Sequence, residues 1–288
     1  MATLQEVNQR ISGIEKTKEI TQALKMVAMI RVRNAQQVLY AMRPYSDRLA
    51  RMIASLCTHE VRSSHPLLAE RKGDRVLLVV VTSDKGLCGS FNTNILRYAE
   101  KRIREIKESV AGRVEIITIG KKGTNYLKKH NYSIISEFSV FKTKVEFEDA
   151  RKIGEILIEH FTKLDVDRVE LLYNFYQSTG RQEAEIKTLL PIAELATCLY
   201  PQVDYIYEPE KSKILDILLP LYVNVQVWRI LQESSAGENG ARMTAMDNAN
   251  QKCEEMIEQL TLEYNKARQN SITRQIIEVV SSAEAFRE

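Results

Sequence analysis

Met243-Thr-Ala-Met246-Asp-Asn-Ala-Asn250-Gln-Lys-Cys253-Glu-Glu-Met-Ile257-Glu-Gln-Leu260-Thr-Leu-Glu-Tyr264-Asn-Lys-Ala267 is the stretch on which the fold turns. Its numbered residues step by three and four, with one polar member, Asn250. In a helix they make one stripe that has to face a partner helix. The stretch lies inside a run, Leu221 to Glu288, that holds no proline and only the glycines Gly237 and Gly240. At about 1.5 Å per residue that run spans roughly 100 Å, whereas an ordinary globular helix has about 11–12 residues. A helix this long needs an unusual way to cover its apolar stripe.

The other end of the chain supplies the partner. Leu4, Val7, Ile11, Ile14, Lys18, Thr21, Lys25, Ala28, Val32, Ala35, Leu39 and Met42 form a second ladder of threes and fours, with Lys18, Thr21 and Lys25 polar. Pro44 interrupts it, and the register resumes with Leu49, Ile53 and Leu56. Residues 1–56 carry nine Lys/Arg against four Asp/Glu, and residues 221–288 carry seven against ten. This opposite bias suits antiparallel pairing, although an exposed ion pair contributes only about 0–1 kcal/mol. Two ladders at opposite termini predict an intramolecular antiparallel coiled coil.

The middle reads differently. Arg75–Thr82 and Arg113–Ile119 are short valine- and isoleucine-rich runs that read as buried strands, and Arg168–Tyr176 reads as another. Tyr132–Phe141 and Glu185–Leu190 are further strand candidates. Asn92–Ala111, with a basic face, and Glu146–Leu164 have helical spacing, and a short helix follows Gly120. Eight of the eleven glycines fall between Gly73 and Gly180, where the loops of such a region belong. Strands alternating with helices predict a mostly parallel, helix-covered, Rossmann-like sheet. Pro191, Pro201, Pro209 and Pro220 punctuate the return to the long helix. The expected fold class is α/β plus a long antiparallel coiled coil. The expected division is a coiled-coil helix over 1–56, a connecting segment over 57–74, a central α/β domain over 75–208 and a C-terminal coiled-coil helix over 209–288.

Chemistry is sparse along this chain. Cys57, Cys88, Cys198 and Cys253 contain no C-x-x-C pair, and His59, His65, His130 and His160 are scattered, so no metal site is expected. No apolar run approaches the roughly 20 residues of a membrane span. The net charge of +3 does not argue for nucleic acid, and the basic residues lack the aromatic interleaving of a nucleic-acid surface. Gly86-Leu-Cys-Gly-Ser90 stands between a strand and a helix, where phosphate loops occur. It lacks the first turn of the dinucleotide fingerprint, and no G-x-x-x-x-G-K-[ST] exists. Gly120-Lys-Lys-Gly-Thr124 is a second candidate of the same kind. Asp84 and Cys88 share the first loop with no histidine nearby in sequence and no G-x-S-x-G elbow. The residue chemistry therefore favours a non-enzymatic interaction protein without cofactor. Two alternatives stay open: a free-standing nucleotide-binding α/β enzyme with a coiled-coil dimerisation arm, and an unrelated coiled-coil adaptor.

Longer strings add a resemblance. Arg10-Ile-Ser-Gly-Ile-Glu-Lys-Thr-Lys-Glu-Ile-Thr-Gln-Ala-Leu-Lys-Met-Val-Ala28, Thr82-Ser-Asp-Lys-Gly-Leu-Cys-Gly-Ser-Phe-Asn92, Gly240-Ala-Arg-Met-Thr-Ala-Met-Asp-Asn-Ala249 and Tyr264-Asn-Lys-Ala-Arg-Gln-Asn-Ser-Ile-Thr273 resemble, in order, segments of the gamma subunit of F-type ATP synthase. The resemblance covers the whole chain. Gln275 and Ser282 stand where that family usually has glutamate and glycine. The chain also lacks the cysteine-bearing insertion of the chloroplast versions, which points to a bacterial source.

The resemblance implies a rotor shaft at the centre of a ring of alternating alpha and beta subunits, with an epsilon subunit and a membrane ring of c subunits below. It implies a peripheral place on the cytoplasmic face of the bacterial inner membrane, with membrane contact only through the complex. Proton-driven rotation of the c ring would be coupled to the catalytic sites of the beta subunits. By position in the motifs, Gln269, Thr273, Arg242, Arg31 and Arg33 are the implied beta-subunit contacts. Tyr205, Tyr207 and Glu208 are the implied foot on the c ring and epsilon.

Overall fold

The computed structural model describes residues 4–57, 65–71, 73–109, 112–141, 144–163, 166–192, 208 and 210–285. Helix α1 (Leu4–Leu56) runs 53 residues without a break. All of its ladder residues are buried or half-buried, and between Met42 and Leu49 the missing rung is Ser46, which is also buried. Pro44 therefore does not end the helix. It lies on the exposed side, and the rungs on either side of it keep their packing.

Five strands follow, in the order β3-β2-β1-β4-β5 across one sheet. They are β1 (Arg75–Val81), β2 (Arg113–Ile119), β3 (Ser136–Phe138), β4 (Arg168–Ser178) and β5 (Arg181–Leu190). The first four are parallel to their neighbours and β5 is antiparallel to β4. Two elements differ from the sequence reading. The third strand is only three residues long, with polar Ser136 and Glu137 in it. The last strand begins at Arg181 rather than Glu185, because Thr179 and Gly180 turn the chain back onto β4 as a hairpin. Its first half alternates exposed and half-buried residues, Arg181-Gln-Glu-Ala-Glu, so it lacks the apolar run that marks the central strands.

Helices cover both sheet faces, which is why β1 is apolar throughout. Leu78 and Val80 of β1 point toward α2 (Phe91–Glu108) and α3 (Lys121–Lys129), where they meet Ile95, Ala99, Ile103 and Leu127. Leu77, Val79 and Val81 point the other way, toward α4 (Phe147–Thr162), the C-terminal part of α1 and the first part of α5 (Lys211–Ala285).

The last helix has 75 residues and contains Pro220. A proline inside a helix costs about 3 kcal/mol. Leu215, Leu219 and Val223 around it are fully buried, and their packing holds the helix together. This part of α5 is also apolar enough to cross a membrane by length and composition, contrary to the reading that no segment is. Its apolar side chains are spent in the core under the sheet.

The chain divides into two compact units, one joining Met1–Val27 with Met243–Glu288 and the other made of Ala28–Arg242. In the first, Lys18 pairs with Glu254 at 2.9 Å and Lys25 with Asp247 at 2.5 Å. Seven residues forward on α1 thus match seven back on α5, the signature of an antiparallel pair. The stripe Met243 to Ala267 is buried or half-buried at every rung, and Ser271 adds one more. In this register Leu4, the first described residue of α1, stands opposite the 268 region. From Ile272 to Ser282 every residue is exposed.

Two ion pairs with buried carboxylates help to brace the second unit. Glu170 of β4, 3% exposed, accepts from Arg102 at 2.9 and 2.6 Å. Asp167 accepts from the Arg75 amide (3.1 Å), Nε (3.1 Å) and Nη2 (2.8 Å), and these bonds hold its carboxyl below the usual range. Removing one partner of a buried pair leaves an uncompensated charge. Arg102→Leu is therefore expected to cost about 3 kcal/mol in urea unfolding, and Arg102→Leu with Glu170→Leu to recover most of it. For Asp167 the folded value is depressed, so its contribution is present above about pH 4 and lost as pH falls through the lowered value. The gap in unfolding midpoint between wild type and Asp167→Asn should stay constant from about pH 7 to 5 and close in stronger acid.

Candidate functional site

The loop after β1 is built from its own polar side chains. Ser83 Oγ donates to Lys85 O at 2.6 Å and accepts from Asn92 Nδ2 at 2.7 Å, while Asn92 Oδ1 receives the Ser83 amide at 3.0 Å. Asn92 Nδ2 also reaches Cys88 Sγ at 3.2 Å. Leu87 sits in the left-handed region at φ 63° with its side chain 64% exposed, and Gly89 follows at φ 56°. A leucine in that region is strained by about 1 kcal/mol, and the bonds beneath it hold the backbone in place.

Asp84 closes the second glycine motif. Its carboxylate accepts from the Lys121 amide (3.0 Å), the Ser139 hydroxyl (2.9 Å) and the Phe141 amide (2.9 Å). Gly120, at φ 104°, packs so closely on Thr82 that an added Cβ would lie 2.1 Å from Thr82 O, and the Gly123 amide donates to Thr82 Oγ1 at 2.9 Å. A phosphate at a helix N-terminus needs free amides and a positive field. Here the start of α3 already holds a carboxylate, and its amides serve the loop. Gly120-Lys-Lys-Gly-Thr124 is a packed turn.

The same holds for a nucleophile at Cys88. The side chain is buried, and burial pushes the thiol up from its ordinary value, although Ser83 and Arg242 pull the other way. A thiolate is the reactive form, and this site opposes it. The hollows that line α1 lie elsewhere: one of about 120 Å³ between Gln36, Ser46, Tyr176 and Glu233, and one of about 480 Å³ between Val38, Tyr45, Phe147 and Trp228.

The implied contact residues fall into separate settings. Gln269 and Thr273 are both exposed, one turn apart on α5, and Thr273 Oγ1 donates back to Gln269 O at 2.9 Å. They lie off the buried stripe and lead into the exposed Ile272, Ile276, Ile277, Val279 and Val280. Arg33 is exposed and Arg31 half-buried. Arg242 is buried and turned inward: it donates to Glu238 (2.6 Å), Asn239 Oδ1 (3.0 Å) and Gly86 O (3.1 Å). Burial raises Glu238 even with this arginine beside it. Glu208 is exposed, and Tyr205 and Tyr207 lie outside the described residues. Sequence reasoning missed the acceptor role of Asp84 and the Arg242–Gly86 bond, which joins residues 156 apart in the chain. An aspartate two residues before a glycine turn was the available signal for the former.

Known proteins agree with one another about this chain. A family model described as ATP synthase matches residues 3–286. An ATP synthase gamma chain of Geobacter metallireducens is 41% identical over 288 residues, covering 100% of both chains. The chain belongs to the ATP synthase gamma-chain family. A second gamma chain, from Trichlorobacter lovleyi, is 38% identical over 289 residues and 100% of both chains. Among solved structures, the central stalk and c-ring structure of the Tetrahymena thermophila mitochondrial ATP synthase contains a similar chain. It is 25% identical with TM-score 0.63, covering 80% of this chain and 99% of that one. A chain of the Euglena gracilis mitochondrial enzyme, in rotational state 3, shares the fold at 20% identity and TM-score 0.68, over 98% of this chain and 94% of that one.

The string Thr82–Asn92 is held together by hydrogen bonds among its own side chains and backbone. Asp84→Ala would orphan three donors at about 1 kcal/mol each. It is expected to lower stability by about 3 kcal/mol in denaturant unfolding, whereas Lys121→Ala, whose side chain is exposed, should change it little.

Proposed function

We propose that this gamma chain is the central rotor shaft of its ATP synthase, non-catalytic itself. Proton-driven rotation of a c ring turns it, and it imposes different conformations on the beta-subunit sites. The observation that carries the reading is the continuous α5, sheathed by α1 up to Ser271 and then bare, with Ile276 at 58% and Val279 at 68% exposure. An apolar helical end left uncovered by the described residues fits a greasy socket in a partner ring.

A shaft of two unequal helices has no threefold symmetry, so three equivalent sites around it meet three different surfaces. Swinging one site from 1:99 to 99:1 between conformations requires about 5.5 kcal/mol of differential contact. Gln269 and Thr273 at the base of the bare end, with Arg31 and Arg33 on α1, supply polar contacts to the beta subunits. Arg242, turned inward, acts on that surface through the Gly86 loop that it holds. At the other end of the molecule's sequence logic, Tyr205, Tyr207 and Glu208 precede α5 and form the foot toward epsilon and the c ring. The location that follows is peripheral, on the cytoplasmic face of a bacterial membrane.

The deciding experiment is assembly with purified alpha and beta subunits, following ATP hydrolysis. One copy of this chain per three alpha and three beta, with turnover dependent on it, is the expected result. A chain that stays outside the ring and binds ATP alone would overturn the reading. Gln269→Leu with Thr273→Val should lower gradient-driven ATP synthesis while leaving the unfolding midpoint of the chain nearly unchanged, since both side chains are exposed.

A further inference from the structure

Glycine is a poor residue for a helix interior, yet α5 carries Gly237 and Gly240 in a buried stretch. Both are sites of close approach. An added Cβ at Gly240 would lie 2.9 Å from Thr179 O, in the β4–β5 turn, and one at Gly237 would lie 3.2 Å from Phe91 Cε2 and 3.3 Å from Gln182 Cγ. The turn is braced in its own right. Gln182 Nε2 donates to Ser178 O (3.1 Å) and Thr179 O (2.8 Å), Tyr176 OH lies 3.1 Å from Thr179 Oγ1, and Gln36 of α1 donates to Tyr176 OH at 2.7 Å. Arg242, about 200° around the helix from Gly240, is tied to Gly86 O and to Glu238.

We infer that the β4–β5 turn and the Gly86 loop form a clasp that fixes the rotational setting of α5 on the sheet, making Thr179, Gly237, Gly240 and Arg242 the positions through which torque enters the helix. The inference rests on the shaft reading. A shaft transmits rotation only if its helix cannot spin where it is gripped. The two glycines work as a keyway. Turning α5 about its axis would bring Asn239 or Ala241, which carry side chains and lie about 1.5 Å from Gly240 along the axis, toward the Thr179 carbonyl, where an added Cβ would already lie at 2.9 Å. The arginine on the opposite flank resists the same rotation through hydrogen bonds. Because α5 continues unbroken past Arg242, what is fixed there is carried into the residues beyond.

The test uses the complete membrane-bound complex carrying Gln182→Cys with Gly237→Cys, positions close enough for a disulfide once the side chains are exchanged. If the clasp stays closed during turnover, oxidation leaves ATP synthesis within about a factor of two of the reduced form. Synthesis lost on oxidation and restored by a thiol reductant overturns the proposal, because the turn must then move against the helix. Gly240→Val, which wedges the turn away, is expected to lower gradient-driven synthesis on the order of fivefold, a typical coupling loss, while hydrolysis by the detached catalytic head stays nearly unchanged. Unaltered synthesis in that variant also overturns the clasp. Failure of the shaft reading looks different: the wild-type chain itself would not join the head or support turnover.

Discussion

What α5 can do depends on how its sides are covered, and the cover changes twice along its length. From Tyr222 to Gly240 nearly every residue is buried, the polar Asn224, Gln226, Gln232, Glu233, Glu238 and Asn239 included. From Met243 to Ser271 only a stripe is covered, and the sequence narrows to a seam of threes and fours. After Ser271 none of the described residues covers it, yet isoleucine and valine persist. A single helix cannot satisfy these three environments by propensity alone. The sheet, α1 and a partner must each take one section.

Polar groups set the alignment within this scheme. The apolar ladder of α1 is interrupted by Lys18, Thr21 and Lys25, and two of these three reach carboxylates of α5. Asn250 lies in the facing stripe with a buried Oδ1 that has no protein partner. Such groups stabilise little, since the lysines are about a third exposed, but they penalise a slip of one turn, which would set lysine against apolar rungs. In the sheet unit the pairs Arg102–Glu170 and Arg75–Asp167, each with a buried carboxylate, tie a helix or a strand end to its neighbours.

Much of this was legible in the sequence because it is periodic and local. The two ladders need only residues three and four apart, and Arg75–Val81 needs only a short apolar run. What escaped the reading depends on distant partners. Pro220 remains helical because Leu215, Leu219 and Val223 are held by the sheet, and a local rule has no access to that. Arg181–Glu185 carries no apolar run, and its pairing with β4 comes from the hairpin turn. Asp84 and Arg242 look like candidate chemistry in one dimension. In three they are consumed by amides and a carbonyl brought from elsewhere in the chain.

The antiparallel pairing of the two termini also governs how the molecule comes into being. Helix α1 is made first, but the residues that cover its N-terminal half, from Met243 onward, are made last. Closing a loop of over two hundred residues costs only a few kcal/mol, because the entropy grows with the logarithm of length, so the delay matters more than the energy. Throughout synthesis Val7, Ile11 and Ile14 wait in water with no partner, a condition that favours association between chains. Lys18 and Lys25 keep that waiting strip charged and soluble, and they find Glu254 and Asp247 only once the C-terminal helix has been made.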